Sequence, residues 1–371
     1  MRSQQRSLMI ILILLALLIA FGSQARPYTP TSQQQIVASW DSQTELQTQD
    51  MDLSQRIDKA NWHIQQGQYA GQANKHYGRA RALLAPLFDD NHNLIAVEQS
   101  SFKKSQLNAM WARVLQHQHQ FVLAQQLLDQ AISLDPKNTN AILLKANVLL
   151  AQGSFEQSRQ VCTQLLGAAD LVITTACVLE ANANLDKLTS SYQQLRTLLN
   201  NRAAHQQQDW LVQLAADMAL RLAQPQAAAQ WLELALNQEQ PLTNKPLSFI
   251  VLWADVQLAL QQDDKVLSVL ATIVQHAGFK DDALLLRLSL AEKTTSSQYW
   301  QNLLAERIEL RLARQDSYHS AELARYYLDI QPNAEQALHW AQINWQKAKL
   351  PDDKNLLDRA LMMQNTDISA S

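Results

Sequence analysis

The sequence predicts an all-α chain, a solenoid of antiparallel helical hairpins, and three observations carry that expectation. Apolar residues recur at helical spacing from Leu53 almost to the end of the 371 residues. Glycine and proline number only 7 and 9, too few for the tight hairpins or phosphate-binding loops that lean on glycine's unusual dihedrals. The chain also resembles itself at a shift of 34 residues, placing Ala112 on Ala146, Leu115 on Leu149 and Phe121 on Phe155. Self-similarity at such a period is the mark of stacked supersecondary units.

The first residues read as an export signal. Arg2 and Arg6 form a positive start, and residues 8–21 are an unbroken apolar run. Ser23-Gln24-Ala25 then offers small residues where a signal peptidase reads, so cleavage is expected after Ala25. The run is shorter than the roughly 17–25 residues that span a bilayer. The alternative is an uncleaved N-terminal anchor. Residues 26–50 are rich in Ser, Thr and Gln, show no apolar period and read as a flexible lead-in, with Trp40 a docking candidate.

Helical patterning runs through 51–349 and is clearest at 105–172 and 209–240. A first hairpin is expected from residues 61–69 with 77–88. Further hairpins follow over 171–183 with 188–200, 210–223 with 227–236, and 247–260 with 265–274. The last two are 282–292 with 299–314 and 317–330 with 334–347, and residues 350–371 supply a capping helix and tail. Asp135-Pro136, Asp281-Asp282 and Pro351-Asp352-Asp353 offer carboxylates or prolines as helix starts. The tryptophans on these helices, Trp62 among them, are read as core residues packed between hairpins.

In the strongest pair, small residues at 112/146 and 124/158 let two helices approach closely, and larger ones at 115/149 and 128/162 fill the space around them. A first helix ending Leu-x-x-Gln, an aromatic opening the second, then Ala-x3-Leu-x2-Ala and Leu134-Asp135-Pro136 resemble the tetratricopeptide repeat. Ala112 stands where that pattern prefers glycine, and Ser158 where it prefers alanine; both remain small. With residues 79–86, the Cys162/Cys177 pair and residues 337–345, most of the chain resembles a family of exported bacterial tetratricopeptide-repeat proteins, a likeness that brings no known activity with it.

The resemblance implies a right-handed superhelix whose concave groove is lined by the first helix of each repeat. The second, fifth, ninth and twelfth positions of each repeat face that groove. Carried onto this chain they are Gln106, Ala109, Arg113 and Gln116, then Asn140, Leu143, Asn147 and Leu150. Arg113 suits a carboxylate, and the Asn147 amide suits the backbone of an extended peptide, since it both donates and accepts. The basic set with which some of these proteins clamp a chaperone's terminal carboxylate is absent.

Cys162 and Cys177 are the only cysteines, at core-facing positions of adjacent helices. They form either a disulfide between repeats or two buried thiols; their spacing is far from the Cys-x-x-Cys of a redox pair. His117 and His119 stand two apart, on different helix faces, and no metal site is expected. His63, His319 and His339 read as isolated helical histidines, and the acid pairs Asp89-Asp90 and Asp263-Asp264 as turn residues. No phosphate loop, nucleophile elbow or His-Glu-x-x-His appears. The reading is therefore a non-enzyme without cofactor.

Lys plus Arg total 31 against 34 acids, a net charge of −3, which leaves no basic surplus to neutralise phosphates and disfavours nucleic acid. The expected function is a periplasmic or secreted scaffold that binds a protein or peptide. The alternative is an envelope-complex assembly factor anchored in the inner membrane and facing the periplasm, in contact with the membrane only if the N-terminal segment is uncleaved.

Overall fold

The computed structural model describes residues 51–95, 100–201, 208–276, 281–316 and 319–370. The export signal, the lead-in and Trp40 lie outside them. Seventeen α-helices and no strand occur among the described residues. They are α1 (Leu53–Gln66), α2 (Ala73–Leu84), α3 (Ser101–His117), α4 (Phe121–Leu134), α5 (Thr139–Ala151) and α6 (Phe155–Thr163). Next come α7 (Leu171–Ala183), α8 (Leu188–Asn200), α9 (Asp209–Arg221), α10 (Pro225–Leu234), α11 (Leu247–Ala259) and α12 (Asp263–His276). The last are α13 (Asp282–Glu292), α14 (Tyr299–Ala313), α15 (Ser320–Arg325), α16 (Ala334–Lys347) and α17 (Pro351–Ala370). None of the helices among the described residues is long and apolar enough to cross a membrane.

Successive helices pack as hairpins, α1 on α2 through α15 on α16, with α17 closing against α16. The small residues do what close approach requires. Ala112, Ala124, Ala146 and Ser158 are all buried at hairpin contacts. Ser158 is small and polar, and its Oγ donates to Ala146 O at 3.0 Å, so its burial leaves no orphan group. Ser105 likewise donates to Ala131 O at 2.7 Å and accepts from Asn138 Nδ2 at 2.8 Å, tying α3, α4 and the start of α5 together.

Helix starts follow side-chain chemistry. Asp52 and Gln55 form a reciprocal capping box on α1, and Ser100, Asn138, Asp170, Asp281 and Asn333 each accept a backbone N–H at the start of a helix. Asp135 departs from its expected role: it ends α4, its carboxylate takes Lys137 N at 3.0 Å, and Asn138 caps α5 instead. The helix expected at 317–330 also differs. Its α-helical part ends at Arg325 and a π-helical turn runs from Tyr326 to Ile330, where Gln331 N and Asn333 N return to Tyr326 O and Tyr327 O. Trp62 departs from the core expectation as well, being 50% exposed, whereas Trp111, Trp231, Trp253 and Trp340 are buried.

A residue with positive φ breaks the chain between paired helices at His119, Gly153, Asp186, Ala223 and Gln261. Cys162 on α6 and Cys177 on α7 form a disulfide, with 5.5 Å between their Cα atoms, inside a small core cluster with Ile142, Leu149, Val161 and Leu165. The coil also closes on itself over long stretches of chain. Leu247 N donates to Gln68 O at 2.8 Å, and Lys349 N donates to Ala151 O at 2.8 Å.

Candidate functional site

The first helices of the early hairpins surround a concavity of about 570 Å³. Its walls come from α1 (Ile57, Asn61, Ile64, Gln65), α3 (Gln106, Ala109, Arg113) and α5 (Asn140, Leu143), with Asp58, Asp135 and Lys137 at the rim. Helical periodicity sets this arrangement: Gln106, Ala109 and Arg113 are three or four residues apart and share one face of α3. Five of the groove candidates named from sequence, Gln106, Ala109, Arg113, Asn140 and Leu143, line this one concavity. Gln116 lies beside it and accepts from Arg113 Nη1 at 3.4 Å. Asn147 is exposed one turn further along α5, outside the concavity. Leu150 is buried and offers a ligand nothing.

Arg113 stands out electrostatically. Burial pushes its pKa below the ordinary arginine range, with the nearby Tyr77 acting in the opposite direction. Among the described residues it forms no ion pair, since every guanidinium–carboxylate contact within 4.0 Å belongs to another arginine. A half-buried cation without a carboxylate is poised to take one from outside.

Arg113 sits six residues before the turn residue His119, and the same offset from the later turns names Asn147, Glu180, Asp217 and Asp255. The residue six places before the turn therefore changes from cation through amide to three acids along the coil. Glu180 has its pKa raised to about 7, by burial first and then by the Asp217 charge. Asp217 is also raised by burial, although Arg221 lies 3.4 Å away and moderates it. Arg221 in addition donates to Ala183 O at 3.1 Å, at the end of α7. Asp255 is fully engaged: Arg287 grips it through Nε at 3.0 Å and Nη2 at 2.6 Å, and Arg325 approaches at 3.8 Å. The sequence carried this ladder, but in the later repeats only the turn residues reveal its register.

The remaining titratable groups have structural partners. His63 is not isolated, as its Nδ1 meets His76 Nδ1 at 2.9 Å. His117 stacks on Tyr77 with ring centroids 3.9 Å apart. Its pKa falls to about 4, through burial and then the neighbouring His119 and His319. Buried Asp282 is held by Arg307 and Arg311. Buried Glu292 would be raised by burial, but hydrogen bonds from Ser297 and from the backbone at the start of α14 outweigh it and leave its pKa low. No group of three or more His, Cys, Asp or Glu among the described residues is arranged to hold a metal ion.

Residues 115–171 match the family model described as the tetratricopeptide repeat. No curated protein matches the chain. Among solved structures, it is similar to a tetratricopeptide repeat protein from Parabacteroides merdae, at 13% identity and a TM-score of 0.42, over 70% of this chain and 99% of that one.

Proposed function

From the premise that this is a tetratricopeptide-repeat chain, we propose that it is a non-catalytic scaffold that binds an extended segment of a partner protein along its inner face. Repeats of this kind serve protein–protein recognition, and their stacked hairpins present a continuous surface rather than one reaction centre. The observation that carries the reading is Arg113, a half-buried guanidinium with no acid partner among the described residues, at the wall of a concavity of about 570 Å³ whose lining includes the amides of Asn61, Gln65, Gln106 and Asn140. An acidic side chain or a terminal carboxylate of the partner pairs with it, and Asn140 and Gln106 take backbone groups of the same segment. Further along, Glu180 and Asp217 present acids, so a basic residue of the partner follows its acidic one. Export by the N-terminal segment, with cleavage after Ala25, would place this scaffold in the periplasm or outside the cell. A mature N-terminus at Met1 instead of Arg26 would mean a tethered assembly factor.

The test is capture from envelope extract with the intact chain as bait, followed by affinity measurement on whatever partner is recovered. Arg113→Ala should weaken that partner at least tenfold, the scale of one lost charge-assisted contact. Arg196→Ala, an exposed substitution on α8, should leave it unchanged. Equal affinities for wild type and Arg113→Ala would remove Arg113 from the site and this reading with it.

A further inference from the structure

Gly153 occupies a position where this chain does not otherwise need glycine. The turns at His119, Asp186, Ala223 and Gln261 adopt the same left-handed backbone, with φ between 56° and 59°, while carrying side chains. Gly153 has φ 76° and differs from them in what lies beside it. A Cβ there would sit 2.7 Å from Lys349 Cβ and 3.3 Å from Lys349 Cγ. Gly167 has the same φ of +76° and nothing within 4 Å of its Cβ position. The glycine at 153 thus answers a close approach between the α5–α6 turn and the linker joining α16 to α17.

That approach is also bonded. Ala151 O is one of the carbonyls at the end of α5 that no residue of the helix can satisfy, and Lys349 N donates to it at 2.8 Å. The Lys349 ammonium folds back 4.2 Å from the Trp345 ring and onto the Trp345 carbonyl, which leaves the Cβ and Cγ of the same side chain packed against Gly153. On either side of the linker, the Asp352 charge in α17 acts on the Asp217 carboxyl and the Lys347 charge at the end of α16 acts on His119. The other long-range backbone bond, Leu247 N to Gln68 O, lies at a different pair of turns.

We propose that Gly153 and the α16–α17 linker form a releasable latch that holds the coil closed, with the Gln68–Leu247 contact remaining as the hinge, and that its release admits a partner to the inner face. The gating half rests on the scaffold reading above; the latch itself does not. The contact is small enough to release: one backbone hydrogen bond and one approach of the Lys349 side-chain stem to the Gly153 backbone, with no ion pair between the turn and the linker among the described residues.

The full chain carries the experiment. Gly153→Ala should enlarge the radius of gyration in solution scattering and speed hydrogen exchange at the Lys349 amide at least tenfold, with unchanged helical circular dichroism. Gly167→Ala, which bears the same backbone strain in open space, should change neither reading. Removing the opposing side chain, in Gly153→Ala/Lys349→Gly, should restore the wild-type scattering. In the unsubstituted protein, the Lys349 amide should exchange faster than the amides inside α16, as a contact that opens without global unfolding does. Wild-type scattering and exchange in Gly153→Ala would overturn the latch, and so would equal opening in Gly167→Ala or protection of Lys349 at the level of α16. If Gly153→Ala opens the coil and a captured partner associates no faster, the gating half fails and the latch stands. Loss of Arg113-dependent affinity is read separately and bears on the scaffold alone.

Discussion

His63 and His76 meet Nδ1 to Nδ1 at 2.9 Å, so one ring must donate and the other accept, and the two cannot both be cations. Burial first, and then the His76, Arg79, Lys59 and Lys75 charges, lower His63 to about 4; His76 is lowered by burial and by Lys75 and Arg79. The sign follows from linkage. The folded ring stays neutral while the unfolded one takes a proton below about 6.5, so this pair's stability is present above that pH and is lost as pH falls from about 6.5 toward 4. Glu180 works the other way, because an acid whose folded pKa is raised to about 7 adds stability as pH falls from there toward its unfolded value. The informative measurement is therefore a difference. The stability of wild type minus that of His63→Asn, which keeps a hydrogen-bonding group without the titration, should shrink as pH falls from 6.5 to 4. A constant difference over that window would show that the pair does not titrate as described. From sequence His63 alone was singled out, and as an isolated residue, because its partner lies 13 residues away on the other arm of a hairpin and histidine carries no pairing signal. Arg113 shows the same limit: its place beside Gln106 and Ala109 was legible from repeat register, but its lack of an ion-pair partner among the described residues is a property of the packed molecule.

Hairpins are the element that the sequence reveals best, because a 3.6-residue period and small-large alternation are written locally. Helices α7 and α8 run over residues 171–183 and 188–200, the ranges their apolar spacing predicts. Departures come where a tertiary contact overrules the local pattern, as at Asp135, where Asn138 takes over the cap, and at residues 326–330, where the last turn widens to a π-helix. The Cys162–Cys177 bond joins one hairpin to the next and closes a loop of 15 residues that contains the α6–α7 turn. Constraining an unfolded loop of that length stabilises by on the order of 3 kcal/mol. Cys162→Ser/Cys177→Ser should lose about that much in chemical denaturation, and wild type under a strong reductant should shift with it. Two alkylatable thiols in the protein as purified would contradict the bond outright.

At the scale of the molecule, the coil is held by contacts that no local pattern announces. Gln68 with Leu247 and Ala151 with Lys349 join hairpins that are far apart in the chain, and their only trace in the sequence is a glycine that reads as an ordinary turn residue. A solenoid's stability is close to a sum of unit and nearest-neighbour terms, so its ends decide where unfolding begins. Among the described residues α17 is the last helix. It buries Leu356 and Ala360 against the last hairpin, Asp353 accepts from Asn344 Nδ2 at 2.7 Å, and Arg359 pairs with Asp329 in the π-helical turn. Cutting the chain after Leu350 keeps Lys349 and the latch but uncovers the α17-facing side of α16 and leaves buried Asn344 without its acceptor. The α15–α16 hairpin should then melt ahead of the rest. Thermal unfolding followed by circular dichroism should show an early step larger than the 20 residues of α17 account for, and hydrogen exchange should place that step in α15 and α16 while α3 to α6 stay protected. If the shortened chain melts in one transition at the wild-type temperature, having lost only the signal of α17 itself, then α17 is an appendage and the coil ends at α16.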